Sequence, residues 1–316
     1  MAYVGRAPWH GLGQELTRDA TIETWRREAG MEWEARRSPV EYMGMDGERL
    51  FVPGRDILFR SDTNDPLGVV SSSYRVVQPG EVLEFYRDLV GAIGGFRLET
   101  AGCLRGGANV WALAVADEGL TLPGDDAVNR YLLLTTSYDG SSRTVVQQTS
   151  IRVVCMNTLH LSLNGANVHG ERLTVSHRTT FDGERIKRDM GLDRQWERFA
   201  ETCNRMTEVE IDPPQADRIV REEFYPDEPT SAAAHRFADL VLEARRRAPG
   251  ATMDSARGTA WGLVNAVTYT LDHEGRFRSQ DSQVRNIWYG KKATQKHNFF
   301  RHLGERMEYM VNGFDR

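Results

Sequence analysis

One stretch constrains the fold more than any other: YLLLTTSYDGSSRTVVQQTSIRVVCMNTLHLSL, residues 131–163. The apolar run Tyr131-Leu132-Leu133-Leu134 leads to Asp139-Gly140, and Thr144-Val145-Val146 follows. Asp-Gly between β-rich flanks is a strong hairpin signal, because the turn needs positive φ and glycine adopts it at little cost. At Ile151-Arg152-Val153-Val154-Cys155 the period changes, and the spacing predicts entry into a helix. The expected order is strand, tight turn, strand, helix. The stretch contains no recognisable catalytic motif.

The segments before it read mostly as strands. Met31, Trp33 and Ala35 alternate with charged residues, as in a half-buried strand. Tyr42 to Val52 reads as a hairpin around Asp46-Gly47, and two more strands are expected at 56–60 and 68–77. Thr21 to Ala29 and a segment opened by Pro79 read as helices; proline is tolerated in a first turn, where its missing N–H costs nothing. Phe96 to Ala116 gives two strands broken at Arg105-Gly106-Gly107, and 173–177 one more strand. Beyond Asp182 the period becomes helical. Trp196, Phe199, Cys203 and Met206 form a stripe, and further helices are expected after Pro213-Pro214, over 232–247, over 259–271 and from Ala293. The fold class is therefore α+β. An antiparallel sheet with hairpins and packed helices is expected over 1–180, and a mostly helical region packed on that core over 181–316.

The block at 131–163 and its neighbours carry a family resemblance. The residues are Pro8-Trp9-His10-Gly11-Leu12-Gly13; Leu67-Gly68-Val69-Val70 with Tyr74 and Val76-Val77-Gln78; Ala101-Gly102 with Val110-Trp111-Ala112-Leu113; Ser137-Tyr138-Asp139-Gly140-Ser141; Ile151 through Leu159; and Ala260-Trp261-Gly262 through Thr268. Together they resemble a family from phages, prophages and plasmids, catalogued as domain of unknown function 932 and as phage/plasmid-like protein. The family often has His where this chain has Tyr138, and Pro where it has Ser150. The resemblance implies a mobile-element setting and the cytoplasm of a bacterial host. The element order is also that of Rad52-like single-strand annealing proteins, an analogy of fold alone.

No metal or cofactor site is expected. His160, His169 and His177 are spaced 9 and 8 apart, unlike the pairings of zinc sites. Gly11-Leu12-Gly13 and Arg105-Gly106-Gly107 lack the spacing of a phosphate-binding loop. Cys155 and His160 would sit about 140° apart on a helix, too far to act as nucleophile and base. The carboxylate pairs Asp125-Asp126, Glu222-Glu223 and Asp227-Glu228 read as solvated surface. Asn157-Thr158 could read a base edge or satisfy backbone groups. Cys103, Cys155 and Cys203 are far apart, with no leader sequence before them, and read as reduced thiols. No run approaches the 18 apolar residues of a membrane span, so no membrane partner is expected.

Cations remain as the functional candidates. The net charge of −5 argues mildly against a nucleic-acid coat but leaves room for a local stripe. Lysine is scarce, yet Lys291, Lys292 and Lys296 fall within six positions, interleaved with Tyr289, Phe299 and Phe300. That composition suits phosphate contact plus base stacking. Arg143 and Arg152 flank the return strand of the central hairpin, Arg105 sits on the neighbouring turn, and His177-Arg178 follow the last expected strand. These eight residues are the expected contacts to single-stranded DNA. The leading expectation is a protein that anneals DNA without ATP or metal, as a homo-oligomer such as a ring, and not an enzyme. The alternatives are an enzyme with a loop-assembled site, with Arg152, Cys155, Asp139 and His177 as suspects, and a regulatory or anti-defence protein that binds a host partner.

Overall fold

The computed structural model describes residues 1–5, 13–140, 145–154, 157–160, 191–274, 279–288 and 290–311. The chain is α+β with a helical C-terminal part, as the hydrophobic periods predict. It forms two compact units, both discontinuous in sequence. The first comprises Met1–Asp117, Tyr131–Gln147 and His169–Met190; the second comprises Glu118–Arg130, Gln148–Val168 and Gly191–Arg316. The cut expected after residue 180 and the strand expected at 173–177 fall outside the described residues.

In the first unit, β3 (Ala35–Met43), β4 (Arg49–Arg60) and β5 (Pro66–Ser71) make an antiparallel sheet in the order β3-β4-β5. β3 and β4 pair in register up to Pro39↔Asp56, and pairing resumes at Glu41↔Phe51. The residues 52–55 therefore bulge, with Gly54 at φ +68, and the outer ends of β3 and β4 continue as a two-stranded ribbon. A second sheet is built on β6 (Phe96–Leu104) and β7 (Asn109–Ala116), the hairpin expected around Arg105 to Gly107. β9 (Asp126–Ser137) pairs with β7 from Val115↔Tyr131 to Asn109↔Ser137. On the other side, β1 (Ala2–Val4) pairs antiparallel with β6 and parallel with β2 (Gln14–Leu16), so this sheet is mixed.

Two helices accompany these strands. α1 (Ile22–Glu28) is capped by Thr21 and buries Trp25. α2 (Pro79–Ile93) starts with Pro79, and the Gln78 N–H donates to Glu81 at 2.8 Å. Its buried face is Val82, Leu83, Tyr86 and Leu89. The Tyr86 hydroxyl pins it to the sheet, donating to the Leu132 carbonyl and accepting the Ala114 N–H at 2.9 Å. Burial pushes the Tyr86 pKa far up, so this hydroxyl keeps its proton.

In the second unit, β8 (Leu120–Leu122) pairs with the start of β9, and β10 (Val145–Arg152) pairs with β11 (Asn157–His160), in the order β11-β10-β9. Among the described residues, 151–154 and 157–160 do not form the helix expected from Ile151. β10 runs through Arg152, the chain turns at Val153-Val154, and β11 returns with Arg152↔Asn157 and Thr149↔His160 as partners. β-branched Ile151 favours extended backbone, and side-chain partners in the second unit fix Asn157 and Thr158 in that form. Cys155, whose separation from His160 rested on that helix, lies outside the described residues.

Six helices follow among the described residues: α3 (Leu192–Glu208), α4 (Pro213–Phe224), α5 (Ala232–Arg247), α6 (Ala260–His273), α7 (Gln280–Trp288) and α8 (Lys291–Val311). α4 starts with a capping box: the Gln215 N–H donates to Asp212 at 2.7 Å, and the Asp212 N–H donates to Gln215 at 3.0 Å. Phe199, Cys203 and Met206 of the predicted stripe join Val264, Val267, Phe299 and Leu303 in one core. α6 is buried on nearly every side. Gly262 makes this possible: a Cβ there would lie 1.9 Å from the Ala256 carbonyl oxygen.

Candidate functional site

Polar residues recur along buried α6 at Trp261, Asn265 and Asp272, spaced 4 and 7 apart, which places them on one helix face. Each meets a residue of β9, β10 or β11 within the second unit. The Asp126 carboxylate accepts from Arg152 Nε at 2.7 and 2.9 Å, Ser255 Oγ at 2.6 Å and Trp261 Nε1 at 3.0 Å. Arg152 also donates to the Gly250 carbonyl at 3.1 Å. One turn on, Asn157 Nδ2 donates to the Asn265 carbonyl at 2.9 Å, and Asn265 Nδ2 donates to the Trp261 carbonyl at 2.8 Å.

At the far end Lys296 of α8 donates to Asp272 Oδ1 at 2.7 Å, Asp272 Oδ2 at 3.0 Å and Thr158 Oγ1 at 2.6 Å. The Thr158 hydroxyl in turn donates to Asp272 at 3.4 Å. An ammonium has three N–H bonds, and three acceptor atoms surround this one. Burial lowers the Lys296 pKa, and the Asp272 carboxylate opposes that shift.

This seam gives several candidates a different role. Arg152 and Lys296, expected to hold phosphates, are buried members of ion pairs. Asp126, expected on the surface, is fully buried. Lys292 is half-buried and donates to the Leu271 carbonyl at 2.7 Å, near the end of α6. Phe299 and Phe300 lie in the core and present no face to a base. Lys291 is exposed. Among its described residues the Lys-rich segment therefore offers no stacking ring, although it does share the seam with Arg152. Arg143, Cys155, His177, Arg178 and Tyr289 lie outside the described residues. Reading the sequence for cations misses the acidic partners, although the helical spacing of Trp261, Asn265 and Asp272 is visible in it.

Arg105 sits elsewhere, at a corner of the first unit. Arg105, Gly106 and Gly107 are consecutive left-handed residues, at φ +54, +66 and +108. For arginine that conformation is uncommon and costly. It is held from two sides. Arg105 Nη1 donates to Asp139 in the neighbouring turn, and Arg60 Nη1 donates to the Gly106 carbonyl at 3.0 Å. Arg60 stacks 4.7 Å over the Trp33 ring, and Trp33 meets Tyr138 edge-on at 5.4 Å. β5 crosses the turn so closely that a Cβ on Gly68 would lie 2.4 Å from Asp139 Cα. The Tyr74 hydroxyl donates to the Ser137 carbonyl at 2.6 Å.

Tyr138 is buried, its hydroxyl finds no hydrogen-bond partner among the described residues, and burial pushes its pKa well up. It fills this corner as a ring. The Arg105 side chain is 44% exposed and that of Asp139 12%, so the guanidinium reaches solvent on a fixed backbone.

No group of His, Cys, Asp or Glu able to hold a metal occurs among the described residues, and none of their helices is long and apolar enough to cross a membrane. The chain matches no curated protein and no solved structure. A family model described as "Domain of unknown function (DUF932)" matches residues 66–288, which include Gly68, Arg105, Asp139, Arg152, Asn157, Trp261 and Asp272. That span is more than half of the chain, and the chain belongs to the DUF932 family.

Proposed function

We propose that this chain is a phage or plasmid protein that binds single-stranded DNA along the turn edge of its first unit and promotes annealing. The observation that supports it is the posture of Arg105. A non-glycine residue in the left-handed region costs about 1–3 kcal/mol and persists only where its surroundings enforce it. Here Asp139 and Arg60 enforce it, and the product is a half-exposed guanidinium at a turn tip. A guanidinium is a planar fork suited to phosphate oxygens. Arg143 follows Asp139 by four residues in the sequence and is the second cation this reading includes. Contacts confined to phosphates leave base edges free to pair, so annealing on such an edge calls for neither nucleotide hydrolysis nor a metal.

The test is fluorescence anisotropy with a labelled oligonucleotide across a salt series. Binding should weaken with salt. Arg105→Gln leaves one phosphate without its cation and should reduce the slope of log K against log[salt] by about 0.7. A folded protein that binds no oligonucleotide at about 50 mM salt would sink the reading.

A further inference from the structure

We infer that the outer ribbon of β3 and β4 docks on the same ribbon of a second copy of this chain. Tyr42 is 53% exposed, Met43 65%, Leu50 38% and Phe51 59%, and Met45 at the tip is wholly exposed. Contiguous exposed apolar side chains of this size mark an interaction site. The contact is made through side chains. Pro39 and Pro53, at the base of the ribbon, lack the N–H that strand addition needs.

The register shows which face is suited to a partner. Directly opposed residues of an antiparallel pair share a face. Tyr42 and Leu50 are opposed and share one face; Glu41 with Phe51, and Met43 with Arg49, share the other. On this second face Glu41 and Arg49 occupy one diagonal, and Phe51 and Met43 the other. A two-fold axis along the apolar diagonal sets Phe51 on Phe51 and Met43 on Met43. It brings Glu41 of each copy over Arg49 of the other. The face is thus complementary to itself in charge and in the placement of its apolar residues, as a closed two-fold interface requires. Nucleic acid fits it less well. Residues 40–52 carry Glu41, Asp46 and Glu48 against Arg49 alone, so the ribbon repels phosphate.

Light scattering on the full chain over a range of concentrations tests this. The wild type should show more than the one-chain mass. Glu41→Arg and Arg49→Glu should each raise the dissociation constant roughly tenfold or more by juxtaposing like charges, and the double swap Glu41→Arg/Arg49→Glu should restore assembly. Phe51→Ser should abolish assembly, while Tyr42→Ser on the opposite face should leave the mass unchanged. All four positions are exposed, and circular dichroism verifies that each variant folds. A wild type that stays at the one-chain mass overturns the inference. So does a complex that ignores the charge swaps, or one that Tyr42→Ser alone dissolves. Phe51→Ser that weakens oligonucleotide binding without changing the mass assigns the ribbon to nucleic acid, and also overturns it.

Discussion

Lys296 and Asp272 meet at 2.7 Å with both side chains only 1% exposed, and the Thr158 hydroxyl completes the contact. The pair joins α8 to α6 where a hydrophobic contact would also serve. Removing one partner strands the other charge away from water, which is the costly outcome for a buried pair.

Lys296→Met should therefore destabilise the protein by about 3–5 kcal/mol. Lys296→Met/Asp272→Leu should recover most of that stability, since the double change leaves no buried charge. Urea unfolding of the two variants and the wild type measures both effects.

Gly262→Ala tests the close approach of α6. The added Cβ would sit 1.9 Å from a backbone oxygen of Ala256, which cannot swing aside as a side chain can. Overpacking costs about 1–3 kcal/mol and occasionally more, and this contact belongs at the upper end. Thermal unfolding should show a large drop in Tm. A variant as stable as the wild type would mean that α6 does not pass Ala256 this closely.

Glu99 carries a pH dependence. Burial raises its pKa above the usual carboxylate value, partly offset by the Tyr131 hydroxyl that donates to it at 2.9 Å. The folded state then holds this proton at pH values where the unfolded state has released it. Stability falls as pH rises from the unfolded pKa through the folded one. Glu99→Gln removes the ionisation and still accepts from Tyr131. Its stability relative to the wild type should be smallest below pH ~4 and should grow as pH rises toward neutrality. Unfolding free energies at a series of pH values would show the two curves separating, and parallel curves would exclude the effect.

Arg105→Gly separates strain from function at the corner. Glycine relieves the left-handed backbone, while the largely covered Asp139 carboxylate loses its ion pair and glycine adds backbone entropy to the unfolded chain, so the effects nearly cancel. The unfolding free energy should change by less than about 1 kcal/mol. Oligonucleotide affinity should nonetheless fall as far as it does for Arg105→Gln. Retained affinity in a stable Arg105→Gly protein would remove Arg105 from the DNA contact.

Local signals in the chain are readable where one element decides its own form. Pro79, Pro213-Pro214 and the Trp196–Met206 stripe each specify a helix without help from distant residues. The Asp46-Gly47 hairpin is equally plain. Residues 151–154 and 157–160 mislead because their form is decided elsewhere. Asn157 and Thr158 are extended because Asn265 and Asp272 receive them more than a hundred residues later. The same distance hides the role of Arg152 and Lys296. A cation in a sequence looks alike whether it faces a phosphate or an internal carboxylate, and only packing around α6 distinguishes the two.

β9 and β10 each contribute residues to both compact units. The chain is consequently a poor donor of interchangeable parts. A fragment of residues 181–316 would carry Trp261, Asn265, Asp272 and Lys296 but none of Asp126, Arg152, Asn157 or Thr158. Its polar helix face would be left without most of its partners. A genetic exchange that joins the first half of this gene to a distant second half breaks those pairings in the same way. Exchange between related genes is therefore expected to be all or nothing over this region, with residues 126–296 moving as one unit.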